Sequence, residues 1–421
     1  MFNTMQSLNT TVEAQRRERD RALRRSSVPR ELAAPLSKAL ASTLVKVITG
    51  PRRAGKSTLA FQVLADRRFA YLNFEDDALR GETDGDELVE AIEAVYGETE
   101  FFFFDEIQNY PRWESFINKL HRRGCNLVIT GSNSRLLSRE LASALTGRHL
   151  PFELLPFSFP EFLLAAGSRE ADAAASFQRY LLWGGFPEVV LGGAEPSGYL
   201  RTLFDSVVLR DIVTRHRIRA STAMHDLLNL LINNAASRFS ARSLERSLGA
   251  LSTATIQKFI GYCREAYLVQ DLQPYFFKPK IRLKADRKIY ALDNGLISAV
   301  SQPVTANTSR LLENLVFVEL VRRGFKPNRD LFYYQTRSGA EVDFLLRRGS
   351  ENLELLQVTQ NLSALKTRER EIRALRLGAE ELKPRRLTVV TLDSTERIRG
   401  ADPDINVVPC RNWLTVRAWN R

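Results

Sequence analysis

The chain has 421 residues, 44% apolar and 26% charged, a composition that excludes extensive disorder and fibrous structure and suits two or three domains. Lys and Arg total 61 against 49 acids, a net charge of +12, and only 12 of the 61 are lysines. The cationic charge is therefore mostly guanidinium, suited to bidentate phosphate contact, and it favours a polyanionic partner, nucleic acid before membrane. No apolar run reaches the length of a membrane span and the polar, then basic start lacks a secretory core; three widely spaced cysteines (Cys125, Cys263, Cys410) argue against a disulfide framework. A reduced, cytoplasmic compartment is expected, with no membrane partner.

Residues 1–30 carry seven arginines between Arg16 and Arg30 and read as a basic arm or a surface helix. From about 31 to 150, the runs Leu44–Thr49, Phe69–Phe74, Phe101–Phe104 and Leu127–Thr130 are apolar on successive residues and separated by helix-length segments. Strands of that kind are buried on both faces of a parallel sheet, so the region is α/β.

Gly50-Pro51-Arg52-Arg53-Ala54-Gly55-Lys56-Ser57 fits G-x-x-x-x-G-K-[ST], with the strand Leu44–Thr49 before it and the helical stretch Thr58–Asp66 after it. The glycines let the loop wrap so that backbone N–H groups face phosphate oxygens, and the helix N-terminus adds positive potential. Residues Gly50 to Thr58 are thus the expected nucleotide cradle, with Lys56 neutralising the β- and γ-phosphates of ATP and Ser57 holding Mg²⁺. Phe101–Phe104 ends in Asp105-Glu106, the acidic pair of a Walker B strand. Asp105 is expected on the Mg²⁺ side and Glu106 at the attacking water. The strand Leu127–Thr130 runs into Gly131-Ser132-Asn133, where either Ser132 or Asn133 is placed to sense the γ-phosphate. Gly147-Arg148 follows, a guanidinium suited to act as an arginine finger on a neighbouring subunit's nucleotide. Together these elements describe an additional-strand ATPase.

Residues from about 151 to 300 read as mainly helical, with helical stretches His225–Leu248 and Ser252–Leu268 broken near Gly249, then a basic segment Gln270–Tyr290 that reads as a β-hairpin. Helix–turn–helix followed by a hairpin is the order of a winged-helix module. Within that segment, Lys278, Lys280, Arg282, Lys284, Arg287 and Lys288 crowd together beside Tyr275, Phe276, Phe277 and Tyr290. Alternation places 278, 280, 282 and 284 on one face of a strand, a face suited to DNA phosphates; the aromatics read as core. The four histidines show no metal-ligand spacing. From about 305 the α/β alternation returns, with a helix around Leu311–Arg323 and strands near Leu331–Gln335, Glu341–Leu346, Leu353–Thr359, Leu387–Leu392 and Ile405–Pro409.

These motifs, in this order, resemble a bacterial and archaeal family of AAA-type ATPases that carry a C-terminal restriction-endonuclease-like domain. The likeness includes Val28-Pro29-Arg30, Gly50–Ser57, Phe104-Asp105-Glu106, Gly131-Ser132, Leu145–Arg148, Pro156-Phe157-Ser158-Phe159 and Gly184-Gly185-Phe186-Pro187-Glu188. It continues through Arg210-Asp211-Ile212, Leu312–Val316 and Glu341-Val342-Asp343-Phe344. The resemblance implies a basic arm at 1–30, an AAA-type ATPase domain at 31–165, a helical lid and winged-helix region at 166–300 and a restriction-endonuclease-like α/β domain at 301–421. It also implies a nuclease constellation of helix Glu, strand Asp and E-x-K. Glu313 and Asp343 match it, but Gln357 and Thr359 stand where the metal-binding carboxylate and the lysine belong. Such a domain is expected to bind or assemble without cutting, unless Lys366 replaces the lysine. The expected function is a Mg²⁺-dependent ATPase acting on DNA as a ring oligomer, a hexamer being favoured. A nucleotide-controlled switch on a protein partner is the rival, and an active nuclease the third reading.

Overall fold

The computed structural model describes residues 2–79, 84–134, 145, 147–168, 172–277, 285–301 and 308–416. The chain divides into two compact units, residues 1–156 and 157–421.

The first unit is built on five parallel strands, β1 (Val45–Thr49), β2 (Phe69–Asn73), β3 (Phe101–Asp105), β4 (Asn126–Gly131) and β5 (His149–Glu153), in the order β2-β3-β4-β1-β5. The four phenylalanines of β3 show why the runs are continuously apolar. Phe101 and Phe103 pack with Leu36, Leu59 and Tyr71 on one face of the sheet, while Phe102 and Phe104 pack with Val12, Leu88 and Phe116 on the other. Because β4 lies between β1 and β3, its carboxyl end falls between the phosphate loop and the acidic pair. That insertion is the additional strand expected from the sequence, and it brings Thr130 and Ser132 into the site.

The arginine-rich start is the helix α1 (Phe2–Leu23), so of arm and helix the second holds. Leu8 and Val12 are buried in the core. Gln15 pairs with the backbone of Asn73 on edge strand β2, accepting from its N–H at 2.8 Å and donating to its carbonyl at 3.2 Å. Arg16 donates to the Val95 carbonyl at 2.7 Å and Arg19 to that of Phe69 at 2.6 Å, with the Arg19 guanidinium over the Phe69 and Tyr96 rings. Two of the cations expected for a partner thus serve the domain's own edge.

The second unit begins with helices and contains a three-stranded antiparallel sheet, β6 (Ser237–Phe239), β7 (Val269–Leu272) and β8 (Arg287–Ala291), ordered β6-β8-β7. The single helix expected over His225–Leu248 is two, Ser221–Asn233 and Ala241–Leu248, with β6 between them. The break has a local cause. Asn233 and Asn234 turn their amides back onto the carbonyls of Asn229 and Leu230, Ala236 takes φ 58, and Ser240 opens the next helix with a capping box to Ser243. A helix Thr253–Glu265 follows, and β7 and β8 pair antiparallel as expected for a hairpin.

Residues 308–416, beginning with the helix Thr308–Arg322, build a six-stranded mixed sheet with helices against it. Its strands are β9 (Leu331–Gln335), β10 (Glu341–Arg348), β11 (Glu351–Val358), β12 (Arg386–Thr391), β13 (Glu396–Ile398) and β14 (Ile405–Pro409), in the order β13-β14-β12-β11-β10-β9. The short, exposed β13 was not legible in the sequence. A helix Leu365–Leu382 lays Ala374, Leu375 and Ala379 against this sheet's core. Among the described residues no helix is long and apolar enough to cross a membrane.

Candidate functional site: a phosphate loop and its acidic pair

The loop between β1 and the helix α2 (Lys56–Leu64) is held from both sides. A Cβ at Gly50 (φ +150) would lie 2.0 Å from the Leu154 carbonyl oxygen, so only glycine passes there. Arg30 is buried and donates to the carbonyls of Ala54 at 2.8 Å and Leu155 at 2.7 Å, tying the loop to the exit of β5. The sequence motif around Val28-Pro29-Arg30 flagged this residue without revealing that role. Arg52 pairs with Glu75 at 2.5 Å, while Arg53 (φ 63) and Thr58 are exposed. Pro51 and Ala54 are buried within the loop.

Lys56 is buried, and its ammonium lies 3.3 Å from Glu106 Oε1, donating also to the carbonyls of Gly50 at 3.3 Å and Pro51 at 3.1 Å. Ser57 Oγ donates to Asp105 Oδ2 at 2.6 Å. Thr130, which the sequence reading passed over, organises the pair: its hydroxyl donates to Asp105 and accepts from the Glu106 N–H at 2.9 Å. Its only signal was its place at the end of an apolar strand.

Two adjacent buried carboxylates are driven apart in acidity. Burial, and then the charge of Glu106, raise Asp105 to about 6. Burial pushes Glu106 up as well, but Lys56, Arg52, Gln108 and Ser132 outweigh it and hold Glu106 at about 2. Ser57 and Asp105 offer hard oxygen donors side by side, the chemistry Mg²⁺ prefers, so the donor set fits that ion. Ser132 donates its N–H to Glu106 Oε2 at 3.1 Å, and its own hydroxyl is buried without a hydrogen-bond partner. Asn133 is buried beside it. Arg148 is exposed at the start of β5, where its carbonyl accepts from Val45 at 3.0 Å.

The second unit gathers a different constellation. Lys288 is buried, which corrects its expected role as a DNA contact. Its ammonium sits 2.8 Å from Glu313, 2.8 Å from Glu341 and 2.9 Å from Asp343. Burial lowers its pKa, but Asp343 and Glu313 outweigh burial and raise it well above the usual lysine value, so the ammonium stays charged. Arg287 is also engaged, donating to buried Asp271 at 2.9 Å. Lys278, Lys280, Arg282 and Lys284 lie outside the described residues. Of the aromatics, Tyr275 and Tyr290 are buried, whereas Phe277 is 68% exposed. Gln357 spans the next strand, accepting from the Asp343 N–H at 3.1 Å and donating to Glu371, a carboxylate from the helix Leu365–Leu382. Thr359 is buried and its hydroxyl donates to the Asn361 carbonyl at 3.3 Å. Lys366 is exposed at the start of the helix Leu365–Leu382. A divalent ion does not fit a cluster whose cation seat is filled by an ammonium, and no His, Cys, Asp and Glu group among the described residues suits a metal.

The chain is similar to known proteins along its length. Residues 42–163 match an AAA domain, 174–308 a domain of unknown function (DUF8612) and 308–413 a second one (DUF4143). It is 35% identical over 395 residues, 88% of each chain, to "Uncharacterized protein MJ1544" of Methanocaldococcus jannaschii. It is 32% identical over 331 residues to a Haemophilus influenzae protein, covering 73% of this chain and 81% of that one. Among solved structures, "The walker-type atpase paby2304 of pyrococcus abyssi" overlaps 66% of this chain and 97% of its own, with 14% identity and a TM-score of 0.45. An identity of 35% over 88% of both chains, with an AAA domain over the phosphate loop and its acidic pair, shows that the chain belongs to the family of MJ1544 and is a P-loop ATPase of the AAA type.

Proposed function

We propose that the protein is a Mg²⁺-dependent ATPase that works on DNA as a ring oligomer, hexameric by preference, remodelling or translocating along duplex or branched substrates. The observation that carries it is the complete hydrolytic set Lys56, Ser57, Asp105, Glu106 and Ser132 in one chain of charge +12. Lys56 draws the terminal phosphates into the loop, and in doing so leaves Glu106 Oε1 free to take a proton from water. Ser57 and Asp105 would hold Mg²⁺, which would screen the phosphate charge. Arrival of nucleotide is thereby coupled to activation of the base. We read the middle region as a winged-helix module and the last domain as a restriction-endonuclease-like platform that does not cleave, with Lys288 where a catalytic metal would sit.

The test is the ATPase rate with single-stranded, duplex, forked and four-way DNA, together with particle mass with and without nucleotide. Stimulation by one of these DNAs supports the reading; a flat rate with all four sinks it. A nucleotide-controlled switch on a protein partner is the second reading. It is favoured by the Lys56–Glu106 contact, which ties up the base until nucleotide arrives. Stimulation by a protein alone would select it.

Arg148→Ala is expected to leave nucleotide affinity nearly intact and to remove most hydrolysis, since a finger acting between subunits stabilises transition-state charge worth about 10³-fold or more. Mixing that variant with Glu106→Gln should restore part of the rate if each completes half of a shared site. A monomer hydrolysing at the wild-type rate counts against the ring.

Neutralising Lys278, Lys280, Arg282 and Lys284 together is expected to flatten the log–log salt dependence of DNA binding by roughly 3 to 4 units. Arg287 and Lys288 are left out of that set because their partners are buried carboxylates. An unchanged slope would return the four to an ordinary solvated edge.

A further inference from the structure

We propose that Gln108 is a second water-holding residue of the hydrolytic site, its amide oxygen taking one hydrogen of the attacking water while Glu106 takes the other. The inference rests on the reading of that site as one that hydrolyses ATP.

The backbone sets it up. Glu106 adopts φ 51, a left-handed conformation that is costly for a residue with a Cβ and that persists here at the end of a buried strand. A single 3₁₀ turn, Ile107–Asn109, then folds the chain back, with the Asn109 N–H donating to the Glu106 carbonyl at 3.1 Å. The turn brings Gln108 Nε2 to 2.5 Å from Glu106 Oε2. In that bond the amide nitrogen donates to the carboxylate, which leaves the Gln108 amide oxygen for another partner.

The two oxygens of Glu106 therefore have different tasks. Oε2 is occupied by Gln108 and by the Ser132 N–H at 3.1 Å. Oε1 touches Lys56 alone among these groups and is the oxygen released when phosphate attracts Lys56. On the two residues that bond Oε2, Gln108 Oε1 and Ser132 Oγ are both buried and both lack a hydrogen-bond partner. Buried polar atoms without partners are few in native proteins, and two on neighbours of one carboxylate mark a place that a polar molecule fills.

Water has two hydrogens to place. With one on Glu106 Oε1 and the other on Gln108 Oε1, its lone pair is aimed away from both acceptors, and Ser132 Oγ can donate to a γ-phosphate oxygen. In the step itself, the water oxygen bonds to the γ-phosphorus as the bond from that phosphorus to the β–γ bridging oxygen breaks. ADP leaves with the electron pair, and the proton taken by Glu106 passes to the released phosphate. Gln108 keeps its hydrogen bond throughout and gains no proton.

The experiment compares wild type, Gln108→Ala, Gln108→Met and the double variant Glu106→Gln/Gln108→Ala, with ADP binding by titration and ATP hydrolysis in steady-state and single-turnover modes. Gln108→Met keeps the side-chain length and fold but removes both polar atoms. Expected for both single variants are a kcat lower by about 10- to 100-fold, a KM and an ADP Kd within about threefold of wild type, and a double variant no more than about threefold slower than Glu106→Gln alone. A kcat within twofold of wild type overturns the proposal. So does a loss of ADP affinity that matches the loss of rate, since that marks a prop for the loop. A folded wild type that binds ADP and ATP yet never turns ATP over overturns the hydrolytic reading itself, and this inference with it.

Discussion

Lys56→Ala is expected to weaken nucleotide binding by about 100-fold or more, whereas Glu106→Gln should bind as tightly as wild type and hydrolyse about 10² to 10⁴ times more slowly. The first substitution removes the only buried ammonium at the loop, and with it the charge that meets the terminal phosphates. It also leaves the carbonyls of Gly50 and Pro51 without their donor, loosening the cradle in the free protein. The second substitution keeps the size of the side chain and its hydrogen-bonding capacity towards Gln108 and Ser132, but removes the charge that takes a proton. Glu106→Gln also frees Lys56 from its ion pair before nucleotide arrives. Its affinity for ADP should therefore equal or exceed that of wild type, a direction that titration reads directly. Normal turnover in Glu106→Gln would mean that β3 does not end in the catalytic base.

Lys288→Met is expected to cost the second unit about 3 to 5 kcal/mol at pH 8, the price of a buried ion cluster that has lost one partner. Met fills the volume, so the effect isolates the charge. Glu313 and Asp343 then face one another without that cation, while Glu341 keeps its ion pair with Arg238. Burial and the charge of Asp343 already raise Glu313 to about 7 with the ammonium present. Without it the folded-state value of Glu313 rises further above its unfolded value. Groups raised in this way contribute stability below the unfolded value, near pH 4, and lose it as pH climbs through the folded one. The gap between variant and wild type should therefore be wide at pH 8 and narrow at pH 5. Urea unfolding at the two pH values, followed by a probe in the second unit, measures it. Equal stability at pH 8 would show that Lys288 is not needed to balance the cluster.

Much of the first unit was written in local sequence. Gly50–Ser57 lies between a strand and a helix, and Phe101–Phe104 is apolar on both parities because β3 has neighbours on both sides and layers on both faces. Those patterns depend only on nearest neighbours and on burial, which composition reports faithfully. Boundaries moved by a residue or two, as with β1 beginning at Val45 rather than Leu44. The break between the helices at Ser221–Asn233 and Ala241–Leu248 was missed because asparagines satisfying their own backbone look like helix-tolerant polar residues in a one-dimensional pattern.

The sequence by itself determined the phosphate loop, its acidic pair and the α/β class of the first domain, because each is a matter of residue type at fixed spacing. Tertiary structure alone decided what the charges do. Arg30 reaches the carbonyls of Ala54 and Leu155, Thr130 crosses from β4 to the pair on β3, and Lys288 on β8 neutralises carboxylates on a helix and on β10. A cation on an alternating basic stretch has the same sequence signature whether it faces solvent or carboxylates. Its role is set by which opposite charges the fold places within about 3 Å in a low-dielectric interior, and those partners lie 25 to 55 residues away along the chain.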